Sequence, residues 1–171
     1  MTGGTEDEKK IISACVWGCL VWGTVAFAAD SAGTDLSALP QVYQRERLIT
    51  LNKQNVADGN GTLYGKFSFT RDTAVPEQAI KEIGWMTLYR GDSVGLHPHS
   101  INEDAYIIVS GEGIFTDGSG TDTVVRAGDI TIARPGQKHG LRNEKAEPLV
   151  FLDIIAQNDT YRQNRPQPEK K

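Results

Sequence analysis

Residues 91–104 read GDSVGLHPHSINED, and the reading of His97-Pro98-His99 within them decides how this chain folds. In an extended strand, side chains at i and i+2 project from one face, so His97 and His99 stand side by side. A carboxylate pair, Glu103-Asp104, follows directly. The chain has three histidines in all, and the third, His139, comes behind a Pro135-Gly136 turn. One histidine alone reads as a core or turn residue. Three that collect into a single pattern predict one mononuclear metal site.

Outward from this stretch the pattern is one of short alternating runs divided by glycine turns. Candidate strands are Leu48–Leu51, Leu63–Thr70, Glu82–Tyr89, Val94–Pro98, Ala105–Ser110, Gly113–Asp117, Thr123–Ala127, Asp129–Ala133, Lys138–Asn143 and Leu149–Ala156. Turn chemistry separates them at Asp58-Gly59-Asn60-Gly61, Arg90-Gly91-Asp92, Ser110-Gly111-Glu112-Gly113, Asp117-Gly118-Ser119-Gly120 and Ala127-Gly128-Asp129. Only Pro76 to Lys81 reads as helical, with a weak helical turn over Leu36 to Val42. Many short strands without βαβ alternation predict an all-β, antiparallel barrel or sandwich. Within it, Trp85, Met86, Leu88 and Tyr89 read as barrel core.

Two motifs carry a family resemblance. Gly91, five residues, His97-Pro98-His99, four residues, Asp104, six residues and Gly111 form the first. Gly128, five residues, Arg134-Pro135-Gly136, two residues, His139, three residues and Asn143 form the second. In this order and register they resemble the two motifs of the cupins, over roughly Gly84 to Ala156. The resemblance implies a small jelly-roll β-barrel holding one divalent transition metal on His97, His99, Asp104 and His139. It also implies a homodimer that exchanges N-terminal strands. The sequence departs from the family at two places. Asp104 stands where cupins usually carry Glu, which leaves Glu103 as the alternative ligand. Arg134 replaces the proline that opens the second motif. Its guanidinium would either orient an anionic substrate or lie in solvent.

Neutral imidazoles with one carboxylate suit Zn, Fe, Ni, Cu or Mn. Such a set leaves one or two coordination positions open to water or substrate, as a catalytic site requires. Tyr106 and Ile108 share the strand face of Asp104 and are expected to line the pocket with Arg134. The expected function is metal-dependent chemistry on a small oxygenated molecule, with oxygenation, isomerisation, decarboxylation and lyase reactions all open. Because no further histidine supplies a base, a non-catalytic module binding a small molecule or metal is the second expectation. Carboxylates such as Glu112, or tyrosines, are the remaining bases.

The first residues form a separate unit. Lys9-Lys10 precede an apolar run from Ile11 to Ala29, which closes on Ala26-Phe27-Ala28, the pattern of a secretory signal peptide over residues 1–28. Export to the periplasm or outside is expected, with an uncleaved N-terminal membrane anchor as the alternative. Residues 29–45 read as a linker, 46–157 as the barrel, and 158–171 as a polar disordered tail. Both cysteines, Cys15 and Cys19, fall in the N-terminal segment, so the domain has no thiol chemistry. At 171 residues, 39% hydrophobic and 23% charged, the chain is long enough for one packed domain. A net charge of −4 without a basic cluster excludes a nucleic-acid surface. Asn60-Gly61-Thr62 and Asn158-Asp159-Thr160 match glycan acceptors, relevant only to a eukaryotic secretory route.

Overall fold

The computed structural model describes residues 34–157. The expected signal peptide, residues 29–33 of the linker and the expected tail 158–171 lie outside the described residues.

Alternation of buried and exposed side chains produces ten strands. They are β1 (Ile49–Gln54), β2 (Thr62–Phe69), β3 (Ile80–Leu88), β4 (Ser93–Pro98), β5 (Asn102–Ser110), β6 (Glu112–Asp117), β7 (Asp122–Arg126), β8 (Ile130–Ala133), β9 (Lys138–Arg142) and β10 (Leu149–Gln157). All pairings are antiparallel. A six-stranded sheet runs β1-β2-β3-β10-β5-β8, and a four-stranded sheet runs β4-β9-β6-β7. The architecture is the expected all-β jelly-roll barrel.

The core lies between the two sheets. Phe67, Met86, Leu88, Tyr106, Ile108, Leu149 and Phe151 enter it from the larger sheet, and Val94, Val125 and Leu141 from the smaller. Strand β10 shows the period of two most clearly: Leu149, Phe151, Asp153 and Ile155 are buried while their neighbours are partly exposed. One of those inward positions carries an acid.

Three expectations need correction. Pro76 to Lys81 is not helical; it is a turn that runs into β3. Gln78 donates its backbone N–H to the Val75 carbonyl, and Lys81 Nζ donates to the carbonyls of Val75 and Pro76. Pairing of Ile80 with Ala156 then recruits the segment into the sheet, and tertiary pairing overrides weak helical propensity. Leu36 to Val42 shortens to a single 3-10 turn, Leu36–Ala38, capped by Asp35. Trp85 and Tyr89 are not core. They sit 46% and 49% exposed, while Met86 and Leu88 are fully buried. A strand cannot send neighbours to one side.

Two strands outrun their sequence signal. β5 begins at Asn102 because its ladder with β10 continues to Gln157, and β1 continues to Gln54 because it pairs with Thr62. Backbone pairing needs no apolar alternation, so such extensions leave little trace in sequence.

Candidate metal centre

The hairpin-like pairing of β4 and β9 sets His97 directly opposite His139. Directly paired residues face the same way, so both rings enter the interior from the smaller sheet. His99 follows two residues on, fixed by backbone bonds: its N–H donates to the Gln137 carbonyl and its carbonyl accepts from Gly136. Asp104 comes from the larger sheet, on β5 opposite Ala133 and Ile155. The four side chains therefore meet between the sheets, three from one side and one from the other.

Their donor atoms converge. His99 Nε2 and His139 Nε2 are 3.0 Å apart. From Asp104 Oδ2 the distances are 3.3 Å to His139 Nε2, 3.5 Å to His99 Nε2 and 4.0 Å to His97 Nε2. All lie within 4.8 Å of one another. Two ligand atoms each about 2.0–2.1 Å from a shared ion, at right angles, stand about 3 Å apart. The observed spacing fits that geometry. Glu103, by contrast, is exposed, whereas Asp104 is 3% exposed.

The surroundings prepare the rings as ligands. His97 Nδ1 bonds the Gly95 carbonyl at 2.9 Å, and His99 Nδ1 meets Asn102 Oδ1 at 3.2 Å. Each contact turns Nε2 toward the centre, the outer-shell role that fixes tautomer and ring orientation. His139 Nδ1 is buried without a partner. Its ring is held by aromatic packing instead: Tyr106 stacks on it at 4.6 Å and 19°, and Phe115 meets it edge-on at 5.9 Å.

Burial pushes the basicity of His97 and His99 below the usual imidazole range, with a further lowering from His139; the Gly95 carbonyl and Asp104 work the other way. Both rings are thereby kept neutral, with lone pairs free for a cation. Burial would raise the Asp104 carboxyl, yet hydrogen bonding from His139 and Asp153 outweighs it and keeps the group ionised. Asp153 is pushed far up, first by burial and then by the Asp104 charge. Oδ1 of both aspartates is buried without a conventional donor, which fits one shared proton between two carboxyls. Burial likewise raises the Tyr106 phenol. The donor set, one carboxylate with three neutral imidazoles, suits a divalent transition metal.

The other sequence candidates are spread out. Tyr106 packs against the centre at 3% exposure. Ile108 lies deeper, in the apolar core at 1% exposure. Arg134 is exposed; its backbone N–H donates to Gln137 Oε1, and its side chain forms no ion pair among the described residues. Glu112 sits away from the rings, in ion pairs with Arg126 at 2.8 Å and Lys145 at 3.1 Å. Sequence reasoning missed Asn102, Gly95, Phe115 and Asp153. Only Asp153 left a signal, as the one acid at an inward position of LVFLDIIAQ.

Residues 84–155 match the family model of the cupin domain. A Thermotoga maritima protein named oxalate-binding protein is 40% identical over 70 residues, 41% of this chain and 57% of its own length. The match thus spans little more than half of that relative. A crystal structure from Thermotoga maritima, titled a predicted oxalate decarboxylase, superposes with a TM-score of 0.62 at 27% identity. It covers 68% of this chain and 99% of its own. The cupin domain of Schizosaccharomyces pombe Cnp3 shares the fold, with a TM-score of 0.54 at 14% identity, over 76% of this chain and 85% of that one.

Proposed function

Residues 84–155 are a cupin domain, and on that premise we propose that the protein uses one divalent transition metal to act on a small oxygenated acid, with oxalate the first ligand to test. The observation that carries this reading is the convergence of three imidazole nitrogens and one carboxylate oxygen within 4.8 Å. His97, His99, Asp104 and His139 would hold the ion, which supplies Lewis-acid polarisation of a bound oxygen. Around it the chain's own groups do the rest. Gly95 and Asn102 orient two rings, and Tyr106 with Phe115 packs the third and keeps water from its far side. Two Thermotoga maritima relatives whose names refer to oxalate support the same ligand class.

The test is elemental analysis of protein purified without added metal, followed by calorimetric titration with oxalate. Near-stoichiometric metal and saturable oxalate binding support the reading. Full folding with neither sinks it. Decarboxylation would consume one proton and convert the dianion into formate and carbon dioxide, so product analysis separates turnover from capture. Capture without chemistry is the second reading. It is favoured by the state of the groups beside the ligands, since Tyr106 and Asp153 are both held protonated and neither is free to accept a proton.

Export remains part of this proposal and rests on the N-terminal pattern of Lys9-Lys10, the apolar run and Ala26-Phe27-Ala28. N-terminal sequencing of the mature protein should start at Ala29; retention of residue 1 on a membrane-bound form would replace export with anchoring. A homodimer is proposed through the outer face of the larger sheet, where Ile80 and Trp85 are 41% and 46% exposed. Light scattering checks it.

A further inference from the structure

Glu82, on β3, is a charged residue at 3% exposure that the metal centre does not use. Two cations reach it: Lys53 Nζ at 3.5 Å and Arg71 Nε at 3.8 Å, with the Arg71 backbone N–H donating at 3.4 Å. These separations are longer than the ~2.7–2.9 Å of a tight charge-assisted bond, so Glu82 holds the cations in place without saturating them. Arg71 keeps a 60% exposed side chain, and its Nη atoms form no hydrogen bond among the described residues. Lys53 is steadied separately, with Nζ 5.0 Å from the centre of the Phe67 ring. One carboxylate against two cations leaves a single positive charge, which matches a carboxylate better than a doubly charged phosphate.

The position of this cluster is set by sheet register. Glu82 pairs with Ile155, and Ile155 pairs with Asp104. The three lie in one row on the inner face, so Glu82 and Asp104 are two strand spacings, about 10 Å, apart. His97, at 23% side-chain exposure, is the least buried of the four ligand side chains. The Arg71 charge is near enough to lower the basicity of His97, which places the guanidinium on that same open side. A metal–oxygen bond takes about 2 Å of the span and a hydrogen bond about 3 Å, which leaves about 5 Å for the molecule between.

We propose that Arg71 and Lys53, held by Glu82, form a second carboxylate subsite, and that the preferred ligand is a dicarboxylate of about four carbons. Oxalate, whose carboxyl carbons are bonded to each other, reaches only the metal end. This rests on the metal-centre reading above and refines its substrate class.

The test is calorimetric binding of oxalate, succinate and inorganic phosphate to the full-length, metal-loaded protein and to its R71Q and R71K variants. Arg71 is exposed enough for both variants to fold, and a melting curve verifies this. The expected result is succinate tighter than oxalate in the parent, with R71Q weakening succinate by at least about tenfold and oxalate by less than about twofold. R71K should retain part of the succinate affinity, because it keeps the charge and loses the fork. Equal loss for both acids in R71Q would overturn the subsite. So would phosphate binding with the same Arg71 dependence as succinate, or metal-loaded parent that binds oxalate and ignores succinate. That last outcome leaves the metal-centre reading standing. Protein that carries no metal and binds neither acid ends both.

Discussion

His99 and His139 are forty residues apart in sequence and 3.0 Å apart between their Nε2 atoms. Two imidazoles both buried to 6% exposure or less, edge against edge, gain little from each other. Their proximity is explained by a third party that accepts both lone pairs. His97→Ala and His139→Ala are each expected to cut metal retention by at least about tenfold. Elemental analysis of the purified variants measures this. Unchanged metal content in both would remove the centre.

The choice between neighbouring acids is a matter of strand face. Asp104 points inward with Tyr106 and Ile108, while Glu103 points to solvent. Glu103→Gln should leave metal content within about twofold of the parent, and Asp104→Asn should lower it by at least about tenfold. The reversed pattern, loss with Glu103→Gln and retention with Asp104→Asn, would mean that the strand slips by one residue in solution.

How much of this could be read from residues alone follows the same geometry. The two motifs were legible because their ligands lie at fixed offsets within strands and turns. The ten strands were legible because Phe67, Met86, Ile108 and Phe151 alternate with polar or surface partners. Trp85 misled because a large aromatic suggests core, while the period of two sends it outward beside Met86. Pro76 to Lys81 misled because nothing local announces that Ile80 pairs with Ala156 across the sheet. The orienting groups were invisible for a different reason. The Gly95 carbonyl belongs to the backbone, and its aim depends on an irregularity in the β4–β9 ladder between Val94 and His97.

That irregularity is braced from outside. A Cβ added at Gly95 would lie 1.9 Å from the Ala57 carbonyl oxygen, and one at Gly59 would lie 2.7 Å from Gly95 N. Gly95→Ala must therefore push the 56–59 turn away, at a cost of about 1–3 kcal/mol. Because the Gly95 carbonyl orients His97, metal affinity should fall with it. Ala57, at φ 54°, carries left-handed strain that glycine relieves. Ala57→Gly is expected to stabilise by about 1 kcal/mol, the strain relieved less the entropy that glycine loses. Denaturant unfolding of metal-free protein checks both signs. A stabilising Gly95→Ala would show that the turn does not press on β4.

Phe67 is fully buried, and its ring fills the space left by two glycines, Gly65 and Gly84, at 2.3 Å and 2.7 Å from where their Cβ atoms would lie. Neighbouring strands pair tightly there and cannot collapse further. Phe67→Ala should cost about 3–5 kcal/mol, toward the upper part of the range for an unrelaxed cavity. A loss below about 1 kcal/mol in denaturant unfolding would show that the barrel repacks.

Acidity should act through the same rings that bind the cation. The folded state holds His97 and His99 below 6.5, so the unfolded chain takes up protons first as pH falls. Stability is therefore present in full above about 6.5 and is lost progressively as pH drops toward the folded values. Metal binding sharpens the trend, because each ring must release its proton before it can coordinate. The melting temperature of the metal-loaded protein should fall between about pH 6.5 and 5, and by more than that of a His97→Ala, His99→Ala double variant. If the two proteins lost stability in parallel over that window, the titrating groups would lie elsewhere in the chain.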